Sequence, residues 1–315
     1  MTVVIRHEPG VHDVGAAAIA LGVFDGVHLG HQALITEAIA HARRRGVASC
    51  VLTFDRDPDQ VVTPERAAPQ LTTLDDKLDL IASLGPDAIL VVPFDRALAA
   101  LSPEAFLDEV VLDACRPVVC VVGRDFRFGH RAEGTVDSLA TLGGRHGFDV
   151  VAYDLVVAEG EPVTSSRIRT LVGAGDVATA AALLGRPHRL HGTVIRGRGL
   201  GRTLGTPTAN LDVDARFALP APGVYAARAT VPAGRYTAAV SVGVPPTFPD
   251  ATCELETMLV DFDGDLYGAE IMLEFVERLR DQRAFPDTGS LARAIGRDAR
   301  RAAALLDAIA QPDTP

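Results

Sequence analysis

Hydrophobic and polar positions follow two different patterns along the chain, and the change falls near residue 186. In the first part, short apolar runs are separated by segments whose apolar residues recur at helical spacing. The expected strands are 17–22, 47–54, 87–92 and 117–123, and the expected helices are 31–45, ending at Gly46, one that begins at Thr72 or Thr73, and one that begins at Ser102. Strands that alternate with helices predict a parallel sheet with helices on both faces.

Beyond this point the pattern is typical of antiparallel strands. A short helix that Asp176 can cap is followed by alternating apolar runs over 223–231, 235–243, 253–262 and 269–279, which Gly and Pro separate. We expect a closed or nearly closed β-barrel. A helix over 287–310 is expected to close this part, and its apolar stripe is Leu291, Ile295, Ala299, Ala302 and Leu306. The sequence therefore predicts two domains, 1–185 and 186–315.

Composition and charge narrow the classes of function. A length of 315 residues exceeds what one core usually holds, and the formal net charge of −11 argues against a nucleic-acid partner. A local group of arginines and backbone N–H groups could still hold phosphate. Because no long apolar segment occurs, we expect a soluble cytoplasmic protein without a membrane partner. The cysteines match no zinc or CxxC spacing and are expected to be reduced, buried thiols: Cys50, Cys115, Cys120 and Cys253.

Candidate phosphate chemistry first occurs at residues 21–35, where a predicted strand runs into a helix. Gly22, Gly26 and Gly30 let the backbone approach a ligand closely, and the helix N-terminus presents free N–H groups. His28 and His31 lie at this turn, where fixed donors would stabilise the charge that develops on a transferring phosphate. Surface histidines or half of a zinc site are the alternatives, although no third metal ligand is evident nearby.

A second glycine-rich segment covers residues 191–211 and has several arginines. The composition suits a flap over a polyphosphate, and the glycines assigned to it are Gly197, Gly201 and Gly205. Thr208 and Asn210 follow, two residues apart in an extended segment, so their oxygens point to the same side. Both are hard oxygen ligands that suit Mg²⁺. A glycine-rich hairpin with a polar turn is the alternative interpretation.

The first segment contains GVFDGVHLGH (22–31), which resembles the signature of the nucleotidyltransferase module of bacterial bifunctional riboflavin kinase/FAD synthetases. Further similar motifs follow in the same order at 53–58, 70–78, 123–134 and 164–169. The resemblance implies a Rossmann-like domain in which His28 and His31 stabilise the transferring phosphates. It also implies ATP or phosphate binding by Gly22, Phe24, Asp25, Gly26, Gly30, Ser165, Ser166 and Arg169, and flavin binding by Asp125, Phe126 and Gly129.

The second segment contains GTPTAN (205–210), which resembles the Gly-Phe-Pro-Thr-Ala-Asn motif of the riboflavin kinase module in the same family. Similar motifs continue through 275–285. The resemblance implies that Thr208 and Asn210 bind the metal and ATP phosphates and that Arg280 contacts flavin. It implies that Glu256 is the catalytic base, because it stands six residues before Phe262; its neighbour Glu254 shares the same strand face. The implied ligands are riboflavin, FMN, FAD, ATP and Mg²⁺, bound by a monomer or weak homo-oligomer.

Some positions depart from the family pattern. Arg56 and Asp57 replace Pro and His, and the other departures are Arg124 for Glu, Thr206 for Phe, Pro245 for Asn and Met258 for His. A carboxylate at residue 57 would weaken phosphate binding near ATP, so a monofunctional kinase with a degenerate adenylyltransferase domain is one alternative. A non-catalytic flavin- or nucleotide-binding regulatory paralogue is another. The residues that favour the bifunctional enzyme are His28, His31, Thr208, Asn210 and Glu256.

Overall fold

The computed structural model describes residues 2–8, 14–197, 207–244 and 255–310, and its contacts divide the chain into two units, Met1–Ser165 and Ser166–Pro315. The first unit has, in chain order, β1 (Val3–Arg6), β2 (Val14–Leu21), α1 (Leu29–Arg45), β3 (Ala48–Phe54), α2 (Pro58–Val62), α3 (Leu74–Ser83), β4 (Ala88–Val92), α4 (Arg96–Ala99), α5 (Pro103–Phe106), α6 (Leu112–Ala114), β5 (Cys115–Gly123), α7 (Val136–His146), β6 (Asp149–Tyr153), β7 (Val157–Ala158) and β8 (Glu161–Pro162).

The principal sheet of the first unit has six parallel strands in the order β1-β4-β3-β2-β5-β6. Successive residues of β2 face opposite layers. Ile19 packs in a core with Phe106, whereas Ala20 packs in a second core with Ile35 of α1 and Ile81 of α3. The predicted parallel sheet with helices on both faces is therefore confirmed. The sequence patterns did not identify the short outer strands β1 and β6, which have few residues with which to show a period.

Helix ends in this chain follow local side-chain and glycine signals. Gly46 ends α1 with φ 64°, a left-handed conformation that glycine adopts without a Cβ penalty. Thr73, rather than Thr72, caps α3 by accepting from Asp76 N at 3.1 Å, and Ser102 caps α5 in the same way. These ends were predictable because each depends on residues within one turn.

The second unit contains a closed antiparallel barrel. Its elements are α8 (Ser165–Ala174, whose first residue belongs to the first unit), α9 (Val177–Leu184), β9 (His188–Ile195), β10 (Ala209–Asp212), β11 (Gly223–Val231), β12 (Gly234–Val242), β13 (Leu255–Leu259), β14 (Glu270–Arg280) and α10 (Thr288–Ala310). The strands close in the order β10-β13-β12-β11-β14-β9. Asp176 caps α9 by accepting from Thr179 N at 3.0 Å, as expected.

Tyr225 and Phe275 fill the barrel interior, with ring centroids 5.6 Å apart in an edge-to-face arrangement. Outside the barrel, Ala302 of α10 packs against Val224 and Leu279. The predicted barrel and closing helix are thus confirmed. Strand β13 ends earlier than expected because Asp261 takes φ 54° and turns the chain.

The described cysteines, Cys50, Cys115 and Cys120, are free and buried, and burial raises the pKa of Cys50 and of Cys120 to about 12. The three thiols are therefore reduced and buried, as predicted, and burial keeps them protonated. Cys253 and the tail 311–315 lie outside the described residues. Within the ranges that the structure describes, no helix combines the length and apolar character needed to cross a membrane.

Candidate active sites

The turn that follows β2 has strained backbone at the carboxyl edge of the sheet. Phe24 and Val27 take φ 56° and φ 39°, and Gly26 between them takes φ 80°. Left-handed conformations in non-glycine residues cost about 1–3 kcal/mol each and concentrate at functional sites. A Cβ on Gly30 would lie 3.1 Å from the His28 ring. The absence of a side chain at this position therefore leaves space for the imidazole.

His28 and His31 are brought together at the N-terminus of α1. His28 is the N-cap, and its Nδ1 accepts from His31 N at 3.3 Å. The two imidazoles stack with centroids 3.6 Å apart and planes 20° apart, and the Phe24 ring meets His31 edge-on at 5.2 Å. Two ring systems therefore stand at the positive end of a 17-residue helix, where an anion is favoured.

Asp25 has a structural role in this turn. Its buried carboxylate accepts from Leu71 N at 3.0 Å, from Thr72 N at 3.2 Å and from the Thr72 hydroxyl at 3.2 Å. Its backbone carbonyl accepts from Ser165 Oγ at 2.9 Å. The residue predicted to bind phosphate thus ties the turn to the segment before α3, and Ser165 is held against the same turn.

The remaining predicted phosphate residues of the first module, Ser166 and Arg169, lie further along α8. Both belong to the second compact unit, whereas Ser165 ends the first. Ser166 is exposed and Arg169 is half-buried. The motif at 164–169 therefore begins in the first unit and ends in the second.

The loop after β5 presents aromatic rings beside the carboxyl ends of the strands. Phe126 and Phe128 stack with centroids 5.6 Å apart and planes 13° apart, and Phe106 lies 5.9 Å from Phe128. Gly129 has φ 71°, and a Cβ there would come within 2.7 Å of Pro103 N, so this position requires glycine. Asp125 is exposed beside the rings. Phe106 and Phe128 belong to the core, whereas Phe126 is half-buried and lies next to the exposed Asp125 in the loop.

Sequence reasoning missed part of this aromatic cluster. Phe54 contacts both Phe94, at 5.3 Å edge-to-face, and Phe106, at 6.4 Å. Phe54 ends β3 and Phe94 follows β4. The signal that could have found them is the placement of Phe directly at or after two adjacent parallel strands, because their carboxyl ends meet at one edge.

The departures from the family pattern have local structural partners. Asp57 caps α2 through a bond from Asp59 N at 3.1 Å, and Arg56 pairs with Asp55 at 3.1 Å on the surface. Arg124 pairs with the exposed Asp154 at 2.6 Å. The replacement of His by Asp at residue 57 therefore supplies a helix cap.

In the second unit, strand register places Asn210 and Glu256 opposite one another on neighbouring strands β10 and β13. Leu255 and Leu259 face the barrel core, so Glu256 lies on the outer face of β13. Burial raises the pKa of Glu256, and among the described residues no hydrogen bond or ion pair engages its carboxylate. A carboxylate in this setting accepts a proton more readily than one held in an ion pair.

Ser241 of β12 stands opposite Glu256 on its other side, so three outward-facing polar residues form a row across three strands. Gln282 supports this row by donating to Ser241 Oγ at 3.2 Å and to Val242 O at 2.6 Å. Neither Ser241 nor Gln282 was predicted. Only the register reveals them, since nothing in their local sequence marks them as neighbours of Glu256.

Of the glycines in the predicted flap, Gly197 lies within the described chain, and Gly201 and Gly205 lie outside it, as do Glu254, Thr206 and Pro245. A Cβ on Gly197 would stand 2.1 Å from Asn210 Nδ2 and 2.8 Å from its Oδ1. The backbone at Gly197 therefore lies directly against the amide of Asn210. Thr208 immediately precedes β10.

Arg280, predicted to contact flavin, is bound to α10. Its guanidinium pairs with Asp298 at 2.7 Å and 3.1 Å, and its Cζ lies 5.8 Å from the centre of the Phe285 ring. This bidentate pair joins β14 to the closing helix, so Arg280 has a structural role whatever it binds.

Comparison with known proteins agrees with this geometry. The family described as FAD synthetase matches residues 12–167, and the family described as riboflavin kinase matches residues 184–306. The fold and the two residue constellations thus define a two-domain protein with one unit of each kind. The chain belongs to the bifunctional riboflavin kinase/FMN adenylyltransferase family.

Two relatives illustrate the similarity. The bifunctional riboflavin kinase/FMN adenylyltransferase of Bacillus subtilis (strain 168) is 36% identical over 291 residues, which are 91% of this chain and 91% of that protein. The protein of the same name from Pseudomonas fluorescens is 36% identical over 286 residues, with 90% and 91% covered. A crystal structure from Streptococcus pneumoniae, named as a macrolide-efflux protein, superposes with TM-score 0.83 at 27% identity, over 96% of this chain and 99% of that one.

Proposed function

We propose that the chain phosphorylates riboflavin to FMN in its second unit and adenylylates FMN to FAD in its first, with ATP as the co-substrate of both steps. The observation that carries this proposal is the presence of both constellations in one chain. The stacked His28 and His31 stand at a helix N-terminus, and Glu256 stands opposite Asn210 across two barrel strands.

In the kinase step, Glu256 takes the proton of the ribityl hydroxyl as that oxygen attacks the γ-phosphorus of ATP. The bond from the γ-phosphorus to the bridging oxygen breaks, and the products are FMN and ADP. The raised pKa of Glu256 suits a base, because burial makes its charged form readier to accept a proton. Phosphoryl transfer otherwise depends on positioning and charge neutralisation.

Magnesium fits the donors that the second unit offers. Thr208 and Asn210 supply hard oxygen atoms, and Mg²⁺ commonly keeps several waters and binds substrate phosphates besides one or two protein ligands. The described residues contain no group of three or more His, Cys, Asp or Glu side chains that could hold a metal alone. A bound Mg²⁺ would neutralise phosphate charge, and Gly197, Gly201 and Gly205 are assigned to ATP binding.

In the adenylyl step, a phosphate oxygen of FMN attacks the α-phosphorus of ATP, and pyrophosphate leaves. The imidazoles of His28 and His31 and the free N–H groups of α1 stabilise the charge on these phosphates. Ser165, Ser166 and Arg169 bind phosphate oxygens. The aromatic cluster around Phe126, with Asp125 and Gly129, receives the flavin, and Arg280 contacts flavin in the kinase unit.

Further parts of the proposal extend beyond the two reactions. We assign residues 1–185 to adenylyl transfer and 186–315 to the kinase. We also expect a cytoplasmic monomer or weak homo-oligomer whose partners are riboflavin, FMN, FAD and ATP, without nucleic acid or membrane.

The test is a time course of product formation by chromatography, with purified protein, riboflavin, ATP and Mg²⁺. We expect FMN first and FAD afterwards. FMN that accumulates without FAD, even when FMN is supplied directly, would leave only the kinase. Binding of flavin and ATP without either product would indicate a regulatory protein. Substitution of EDTA for Mg²⁺ should stop both steps.

A further inference from the structure

Lys77 is the only lysine of the chain, which has 30 Lys and Arg residues in total. It lies on α3 and is 6% exposed. Lysine is among the residues least often buried without a partner. An arginine cannot replace it without change, because the guanidinium is a larger planar fork that never loses its charge. Lys77 is therefore the one amine side chain among long cationic side chains that are otherwise all arginine.

The ammonium of Lys77 joins two segments at the carboxyl edge of the sheet. Its Nζ donates to Phe54 O at 2.7 Å, at the end of β3, and to Val23 O at 3.2 Å, in the turn that leads to His28. Thr53 Oγ1 donates to the same Val23 carbonyl at 2.9 Å. The lysine thus fixes the distance between the histidine-bearing turn and the segment after β3.

Three carboxylates surround this position. Asp25 belongs to the turn after β2, and Asp55 and Asp57 follow β3; each favours the charged form of Lys77. The Nζ atom of Lys77 donates to the two backbone carbonyls, and the three carboxylates act on its charge electrostatically. Burial is the larger effect and lowers the pKa of Lys77 to about 8.

Each of the three carboxylates has its own structural partner. Asp25 accepts backbone N–H bonds, Asp57 caps α2, and Asp55 accepts from Phe94 N at 2.8 Å. Carboxylates at the edge where a triphosphate is proposed to bind would repel it, although Arg56 already pairs with Asp55 at 3.1 Å. One buried cation among them reduces that repulsion, and its effect is strong because little water screens it.

We propose that Lys77, in its charged form, is a positioning residue for adenylyl transfer: it holds the histidine-bearing turn against the segment after β3 and offsets the carboxylates that would otherwise repel ATP. The inference rests on the proposed function of the first unit. It explains how Asp57 is tolerated beside a nucleotide.

The single lysine allows a direct test. Protein labelled with ¹³C at lysine Cε gives one lysine signal, whose titration reports the protonation of Lys77 in the whole chain. FAD formation from FMN and ATP is measured over the same pH range. ATP and FMN phosphates are fully ionised above about pH 7.5. We expect the KM for ATP to rise about tenfold between pH 7 and pH 9, with the same midpoint as the lysine signal and a smaller change in kcat.

Asp57→Asn keeps a capping side chain and removes one charge. It should move the lysine midpoint and the activity midpoint to lower pH together. Asp79→Asn is the matched control, because Asp79 is exposed on the same helix and does not act on Lys77. Neither midpoint should move in it. Lys77→Met should raise the KM for ATP about tenfold at pH 7 and remove the pH dependence, while riboflavin phosphorylation by the same preparation stays at the wild-type rate.

The inference is overturned if Asp57→Asn shifts the lysine signal but leaves the activity profile in place, or if Lys77→Met keeps the wild-type KM and pH profile. If either of these results is obtained and the wild-type protein still forms FAD, the proposed function stands and only the role of Lys77 is refuted. Wild-type protein that forms no FAD at any pH would overturn adenylyl transfer itself, and the inference with it.

Discussion

The close approach of Gly197 to Asn210 gives a quantitative prediction for the kinase unit. A methyl group added by Gly197→Ala would stand 2.1 Å from Nδ2, 2.5 Å from Cγ and 2.8 Å from Oδ1 of Asn210. Non-bonded heavy atoms settle at about 3.5–4.0 Å. With the backbone at Gly197 in place, the amide must move by about 1.4 Å or more, because strand pairing with Ile195 and Glu256 holds the backbone of Asn210.

A displacement of about 1 Å in a group that positions substrate can cost about 100-fold in rate. We expect Gly197→Ala to lower riboflavin phosphorylation by about this factor and to leave FAD formation from supplied FMN unchanged. The assay is steady-state production of FMN and, separately, of FAD by chromatography. Gly296→Ala is the matched control, because the atom nearest to its new Cβ is Arg300 NH1 at an ordinary 3.6 Å.

A double-mutant cycle tests whether Gly197→Ala lowers kinase activity by displacing Asn210. If Gly197→Ala acts by displacing Asn210, then adding it to Asn210→Ala should cause little further loss. Additive losses would show that the methyl group acts elsewhere. Wild-type kinase turnover in Gly197→Ala would refute the reasoning altogether, because the amide would then be dispensable in its present position.

Other predictions concern the two proposed sites and the barrel core. His31→Ala should abolish most adenylyl transfer and spare the kinase; equal loss of both activities would contradict two separate sites. Glu256→Gln should lower kinase turnover about 100- to 10,000-fold with little effect on flavin affinity, and the wild-type rate should rise with pH through the raised pKa of Glu256. His188 is buried with Nε2 2.8 Å from Ala218 O, and burial lowers its pKa to about 4 from 6.5. The unfolded chain then binds the extra proton between these pH values, so about 3 kcal/mol of stability is lost as pH falls from 6.5 to 4. Urea unfolding of wild type and His188→Gln measures this, and an equal loss in both would show that other groups cause it.

Local patterns were sufficient for most elements and for several of their ends, but not for the short outer strands β1 and β6 or for the end of β13. The buried runs of β3 and β5, the cap at Ser102 and the glycine at residue 46 were identified from neighbouring residues, and the cap of α3 was narrowed to Thr72 or Thr73. The reason is that periodicity and capping depend on contacts within a few positions. The ordered motifs likewise identified the family, because residue types and spacing are properties of the chain itself.

The arrangement of the sites depends on segments far apart in sequence. Asp25 is bound by Thr72, 47 residues away, and this gives a residue predicted to bind phosphate a structural role as well. Asn210 meets Glu256 only through the pairing of β10 with β13, and Lys77 meets Val23 from 54 residues away. Sheet register and burial are set by the packing of the whole unit. The sequence by itself therefore determined which chemical groups are available, and the tertiary structure decided which of them act together and with what charge.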